Sequence, residues 1–413
     1  MNRNTRLLAG ILLASLVLAA CAGPAATSAP TAPSATEAPT TAPAAGAAVT
    51  MNLWHGLTGP EEQTMAEVIQ NFETANPNIT INTLAVPFNQ LQNKYTTDAS
   101  TGGGPDLLYG PKDWIGTFAQ AQLIVPLDDI ATEVGMDNLS QAAVMADQYQ
   151  GQTWALPEST EAVALWYNTD KVTTPPANSD ELLSMAPDVG LALNTLFYYG
   201  IGFIYAEGGQ LFDSNYKCIL DQGNGAIEAL NFLKTANGTQ GVTASSNTAD
   251  LDAAFTGGTA GLIFEGPWGT GTFVEALGAD KLAIAPPLVM QPNGKPFAPF
   301  LGTKNFYLNA NSTGDAKDAA IKFMNYITQP ESQLLFATKA GHIPANPNVQ
   351  LTDPILDGFL KQTLSSSYFP NEPEMGAVWT PAGDMITKVI DGSETPEAAV
   401  TEATDLINKA NNK

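Results

Sequence analysis

The chain has 413 residues, with 17 basic against 41 acidic side chains and a formal charge of −24. Such a balance repels polyanions, which argues against nucleic acid and phosphate-rich partners and leaves neutral or cationic ligands. Acidic surfaces are also ordinary for exported proteins, so the charge excludes better than it identifies.

The chain opens with Arg3 and Arg6, followed by an apolar run from Leu7 to Leu18 that is too short to span a bilayer. Small residues then lead to Cys21, and Leu18-Ala19-Ala20-Cys21 is similar to a bacterial lipobox, whose cysteine is lipidated. Residues 1–21 are therefore expected to be a lipoprotein signal and Cys21 the lipidation site. Residues 22–48 run in Ala, Thr, Pro and Ser without an aromatic, a composition that cannot bury enough apolar surface to fold and reads as a tether. The expectation is an extracytoplasmic protein, lipid-anchored to a bacterial membrane. Cys218, the other cysteine, reads as a small buried hydrophobe.

From Val49 onward strands alternate with helices. Val49–Trp54 reads as a strand, and Pro60–Ala75 as a helix with acidic residues in its first turn, ending before Asn76-Pro77. Ile79–Val86 is a second strand, Gln90–Ser100 a helix, Asp106–Tyr109 a short strand and Lys112–Ala121 a helix. Short loops between them predict a parallel sheet covered by helices, with ligands at the carboxyl ends of strands. Leu262-Ile-Phe-Glu-Gly-Pro-Trp268 is an apolar strand ended by a Gly-Pro turn, which places Trp268 at such an end.

Catalytic signatures are scarce. His55 and His342 belong to no H-E-x-x-H motif, no serine sits in G-x-S-x-G, and Gly102-Gly103-Gly104 runs into Pro105 rather than a phosphate-holding helix. No metal site and no cofactor is predicted. Glycoside hydrolysis needs only two carboxylates at the right separation, so an anchored extracellular glycoside hydrolase stays open as the alternative.

Five segments, in order, resemble the bacterial ABC-transporter solute-binding proteins of the maltose-binding type. They are Thr101–Ile130 (TGGGPDLLYGPKDWIGTFAQAQLIVPLDDI), Tyr149–Val172 (YQGQTWALPESTEAVALWYNTDKV), Ala253–Trp268 (AAFTGGTAGLIFEGPW), Pro299–Ser312 (PFLGTKNFYLNANS) and Phe369–Trp379 (FPNEPEMGAVW). The resemblance implies an α/β, two-lobed periplasmic-binding-protein fold with a hinge and an interlobe ligand cleft. Chain crossings are expected near Ser159, Pro299 and Pro344. Residues 49–158 and 299–342 would form lobe one, and 160–295 and 345–413 lobe two.

The same resemblance implies the site. Asp113 falls at a hydroxyl-binding position, Glu161 at the acidic residue of the first crossing and Tyr198 at an aromatic contact of lobe two. Trp268 matches the tryptophan of the family's G-P-W, and Trp379 the aromatic that follows its P-N-x-P-x-M segment. Gly110 lacks the usual aromatic and Trp114 stands where an arginine is usual, so Trp114 is expected to offer a stacking face itself. Thr380 and Gly383 replace a tyrosine and an arginine, which leaves the identity of the sugar open. Sugars present apolar C–H faces to flat rings and hydroxyls to carboxylates, so these residue types suit the task. Taken alone, Asp113 could equally cap a helix, and Tyr198 could belong to the aromatic core with Phe197 and Tyr199. Glu61 is expected to complement the start of its helix, and Glu62 is kept as a candidate contact. The function implied is capture of an oligosaccharide, a maltodextrin or related α-glucoside, by a monomeric receptor that feeds the permease of an ABC importer. It is not that of an enzyme.

Overall fold

The computed structural model describes residues 47–413; Cys21, the expected signal and residues 22–46 of the expected tether lie outside the described residues. Two sheets organise the chain. Across the first run Ile343–Pro344, Leu156–Glu161, Phe300–Leu308, Leu107–Pro111, Val49–His55 and Ile79–Ala85, with Ser367–Tyr368 joined to the start of Phe300–Leu308. Across the second run Leu282–Ile284, Ala164–Asn168, Leu262–Glu265, Leu191–Asn194 and Val242–Ser245.

The sheets are mixed rather than parallel. Val49–His55 is parallel to both its neighbours, but Phe300–Leu308 runs antiparallel between Leu107–Pro111 and Leu156–Glu161. In the second sheet Ala164–Asn168 is antiparallel to both of its neighbours. These two antiparallel strands are the ones entered directly from the other sheet. No right-handed crossover helix precedes them, so nothing imposes the parallel direction.

Local sequence explains the elements. Met51 and Leu53 alternate inward along the first strand, giving it one buried face. The helix Gly59–Ala75 has Pro60 in its first turn, where a missing N–H costs nothing, and buries Met65, Val68 and Phe72 at helical spacing. Leu262–Glu265 is buried at every position, as a strand covered on both faces must be. Cys218 is buried in the core of the second sheet.

The chain leaves the first sheet after Glu161, returns at Phe300, and leaves again after Pro344 to place the helix Pro354–Thr363 against Leu282–Ile284. The stretch that follows touches both sides. Ser367–Tyr368 pairs with Phe300–Leu301, and the Asn371 amide donates to the carbonyls of Ala146 (2.7 Å) and Gln148 (2.9 Å). Phe369 and Met375, from the same stretch, lie in the core of the second sheet with the two final helices.

Candidate functional site

The strand Leu262–Glu265 delivers a buried carboxylate and an indole to the space between the sheets. Glu265 accepts hydrogen bonds from the Gly266 N–H (2.8 Å) and the Tyr199 hydroxyl (2.7 Å), and burial pushes its carboxyl up to about 8. Pro267–Gly269 then forms a tight turn that folds the Trp268 ring back over Gly266, where any Cβ would collide with the ring. Gly266 is thus required by the close approach.

Around Trp268 stand other aromatic rings. Tyr198 lies 6.1 Å from it by ring centroids, 5.9 Å from Phe369 and 6.2 Å from Phe300. Phe369 in turn lies 6.1 Å from Trp379 in an edge contact. Tyr198 is half-buried, whereas Phe197 and Tyr199 beside it are core residues. Its hydroxyl reaches Glu161 Oε1 at 3.4 Å. Glu161 is buried and its Oε2 has no hydrogen-bond partner among the described residues.

Asp113 joins the group from the other side. Burial pushes its carboxyl up to about 7, the charge of Glu161 pushes the same way, and a hydrogen bond from the Trp379 side chain holds it down. The structure therefore brings Asp113, Glu161, Tyr198, Trp268 and Trp379 together, from five separate stretches of chain.

Two expected residues are not part of this contact group. Trp114 is only 4% exposed; its ring fills the space over Gly110, stacks on Phe88 at 5.7 Å and meets Phe118 edge-on at 5.8 Å. Both of its faces are occupied, so it offers no stacking platform. The Trp114 ring fills the gap that Gly110 leaves, and packing takes it inward. Glu62 is exposed and makes no ion pair among the described residues. Its neighbour Glu61 was expected to serve the helix start and instead turns inward, because positions 61, 65, 68 and 72 share one helical face.

Glu61 belongs to a buried charged chain that the sequence reading missed. The Tyr109 hydroxyl donates to Glu158 Oε2 at 2.9 Å, and His342 Nδ1 meets the same oxygen at 2.8 Å. His342 Nε2 meets Glu61 Oε1 at 2.8 Å, and Lys304 pairs with that oxygen too. Burial opposes the charge of His342, but Glu158 and Glu61 outweigh it and raise its pKa. Burial likewise opposes the charge of Glu61, yet Lys304 and His342 bring it down to about 2. Lys304 Nζ sits 5.7 Å above the Trp268 ring, which joins the charged chain to the aromatic group. A lysine inside a largely buried strand, Phe300–Leu308, was the available signal. Among the described residues no group of three or more His, Cys, Asp or Glu could hold a metal ion.

Comparison with known proteins places this geometry. The family model described as "Bacterial extracellular solute-binding protein" matches residues 67–358. The maltotriose-binding protein of Pyrococcus abyssi is 30% identical over 371 residues, which cover 85% of this chain and 79% of that protein. The maltooligosaccharide ABC transporter solute-binding lipoprotein of Streptococcus pneumoniae is 27% identical over 342 residues, covering 76% and 78%. The solved maltose/maltodextrin-binding domain of Bdellovibrio bacteriovorus, bound to maltotriose, superposes with a TM-score of 0.81 at 27% identity, covering 88% of this chain and all of that one. These are binding proteins, and the hydrolase alternative finds no support among them. The chain belongs to the bacterial extracellular solute-binding proteins.

Proposed function

We propose that this protein captures a maltodextrin or related α-glucoside between its two sheets, through Asp113, Glu161, Tyr198, Trp268 and Trp379. The lobes are residues 49–158 with 299–342 and residues 160–295 with 345–413. The observation that carries the reading is the unpartnered, buried Glu161 Oε2 beside the Tyr198 and Trp268 rings. An acceptor buried without a partner costs about 1–3 kcal/mol, and a sugar hydroxyl satisfies it while the pyranose face lies on the rings. Relatives named for maltotriose and maltooligosaccharide support the choice of sugar.

The open protein binds through one lobe, and contacts with the second lobe then favour the closed form, which the permease of an ABC importer receives. The mature chain is a monomer tethered through lipidated Cys21 on the extracytoplasmic side. The test is a thermal-shift and calorimetric panel of maltose, maltotriose, maltotetraose and galactooligosaccharides. A raised melting temperature with the α-glucans is expected, with the sugars recovered intact. Binding only of another sugar, or steady release of shorter products, overturns the reading.

A further inference from the structure

We infer that Lys304 contacts the bound ligand directly, and that with Glu161 it holds a pair of adjacent sugar hydroxyls. This rests on the sugar-binding reading above. The argument is a count of donors and acceptors. An ammonium has three N–H groups, and Glu61 Oε1 takes one of them. The next neighbour, His342 Nε2 at 3.4 Å, already faces Glu61 while Nδ1 faces Glu158, so both ring nitrogens serve carboxylates as donors and neither accepts from lysine. Among the described residues two N–H groups of Lys304 are left without an acceptor, on a side chain only 13% exposed. The Trp268 face attracts the cation at 5.7 Å but gives those protons no lone pair.

Glu161 has the complementary shortage. Its Oε2 is buried without a partner, and its Oε1 receives only the long bond from Tyr198. Among the described residues no ion pair joins Glu161 to Lys304, although each carboxylate and ammonium charge acts on the other. A buried donor with spare protons, set apart from a buried acceptor with spare lone pairs, is a slot for a group that both accepts and donates. A hydroxyl does both, and two adjacent hydroxyls do so in a chain whose bonds strengthen one another. The relay Tyr109–Glu158–His342–Glu61 fixes the ammonium in place, and the cation disfavours an amino group in that slot.

The test uses the intact chain and calorimetry with maltotriose and its monodeoxy analogues. In the wild type, removal of one of the two hydroxyls is expected to weaken binding at least about tenfold, since a site built to bond a hydroxyl rejects the analogue lacking it. Lys304→Met should weaken maltotriose by a similar factor and lose little more with that same deoxy analogue. Glu61→Gln combined with Lys304→Met also removes the buried negative charge that Lys304 helps to balance, and should behave alike while melting closer to the wild type. Wild-type binding of maltotriose with no deoxy position discriminated beyond about threefold overturns the inference, whatever the stability of the variants. Unchanged affinity in either folded variant overturns it too. Failure of the wild type to bind maltotriose counts against the proposed sugar, a separate result.

Discussion

At the scale of single residues, the informative side chains are those whose chemistry conflicts with their burial. Trp268 is half-buried and laid over Gly266 towards Tyr198 and Lys304. Trp268→Ala is expected to weaken sugar binding by roughly 1–3 kcal/mol and to lower stability by less than the ~3–5 kcal/mol of a core tryptophan. Calorimetry and a denaturant melt on the one variant separate the two effects. Glu265 makes a pH prediction. Its folded carboxyl titrates at about 8 against an ordinary value near 4.5, so the folded state holds the proton more tightly. That contribution to stability is complete below about 4.5 and is lost as pH rises through about 8. Glu265→Gln keeps an acceptor for Tyr199 and Gly266 and stays neutral, so its melting temperature should fall less between pH 5 and pH 9 than that of the wild type. Parallel curves would assign the slope to other groups.

At the scale of elements, what could be read was what is local. The helix Gly59–Ala75 announces itself through Pro60, two acidic residues and a regular apolar stripe, all within one stretch of chain. Lys112–Ala121 was legible as helical, but it divides into a tight turn at Lys112–Trp114 and a helix at Ile115–Gln120 as Trp114 packs over Gly110. Strand direction was not legible, because Phe300–Leu308 takes its direction from partners about 140 to 200 residues away, beyond any local pattern. The site divides in the same way. Trp268 and Glu161 occupy positions to which a recognisable pattern gives a role, whereas Glu61, Glu158, Lys304 and His342 gain meaning only when four separate stretches of chain meet, even though Glu158 and Lys304 lie on such segments. Trp114 misled because residue type does not say which faces of a ring are covered. A prediction belongs at this scale: the buried Asn371 amide ties Phe369–Trp379 to Ala146 and Gln148, so Asn371→Ala should cost about 1–3 kcal/mol in a denaturant melt. A loss within error would show that the segment is held by Phe369 and Met375 alone.

At the scale of the whole molecule, helices that flank the two sheets meet at contacts too close for side chains. Gly271, in the helix Thr270–Leu277 beside the second sheet, has no room for a Cβ, which would lie 2.5 Å from Pro60 Cβ and 3.1 Å from the Lys339 carbonyl. Gly341, with φ of +78°, likewise leaves its Cβ position to Thr270. These glycines are not among the residues proposed to meet the sugar, so their role is in how near the halves come. A ligand shifts a two-state equilibrium only by its differential affinity for the two states. A wedge that raises the energy of the closed state must therefore weaken binding without altering a single sugar contact. Gly271→Val is expected to leave the melting temperature of the sugar-free protein nearly unchanged and to raise Kd several-fold. Small-angle scattering should show a smaller radius of gyration for the wild type at saturating sugar, and a lesser contraction for the variant. Equal contraction and equal affinity would mean that the approach of Gly271 to Pro60 is incidental to capture, and that closure is set by the buried polar groups alone.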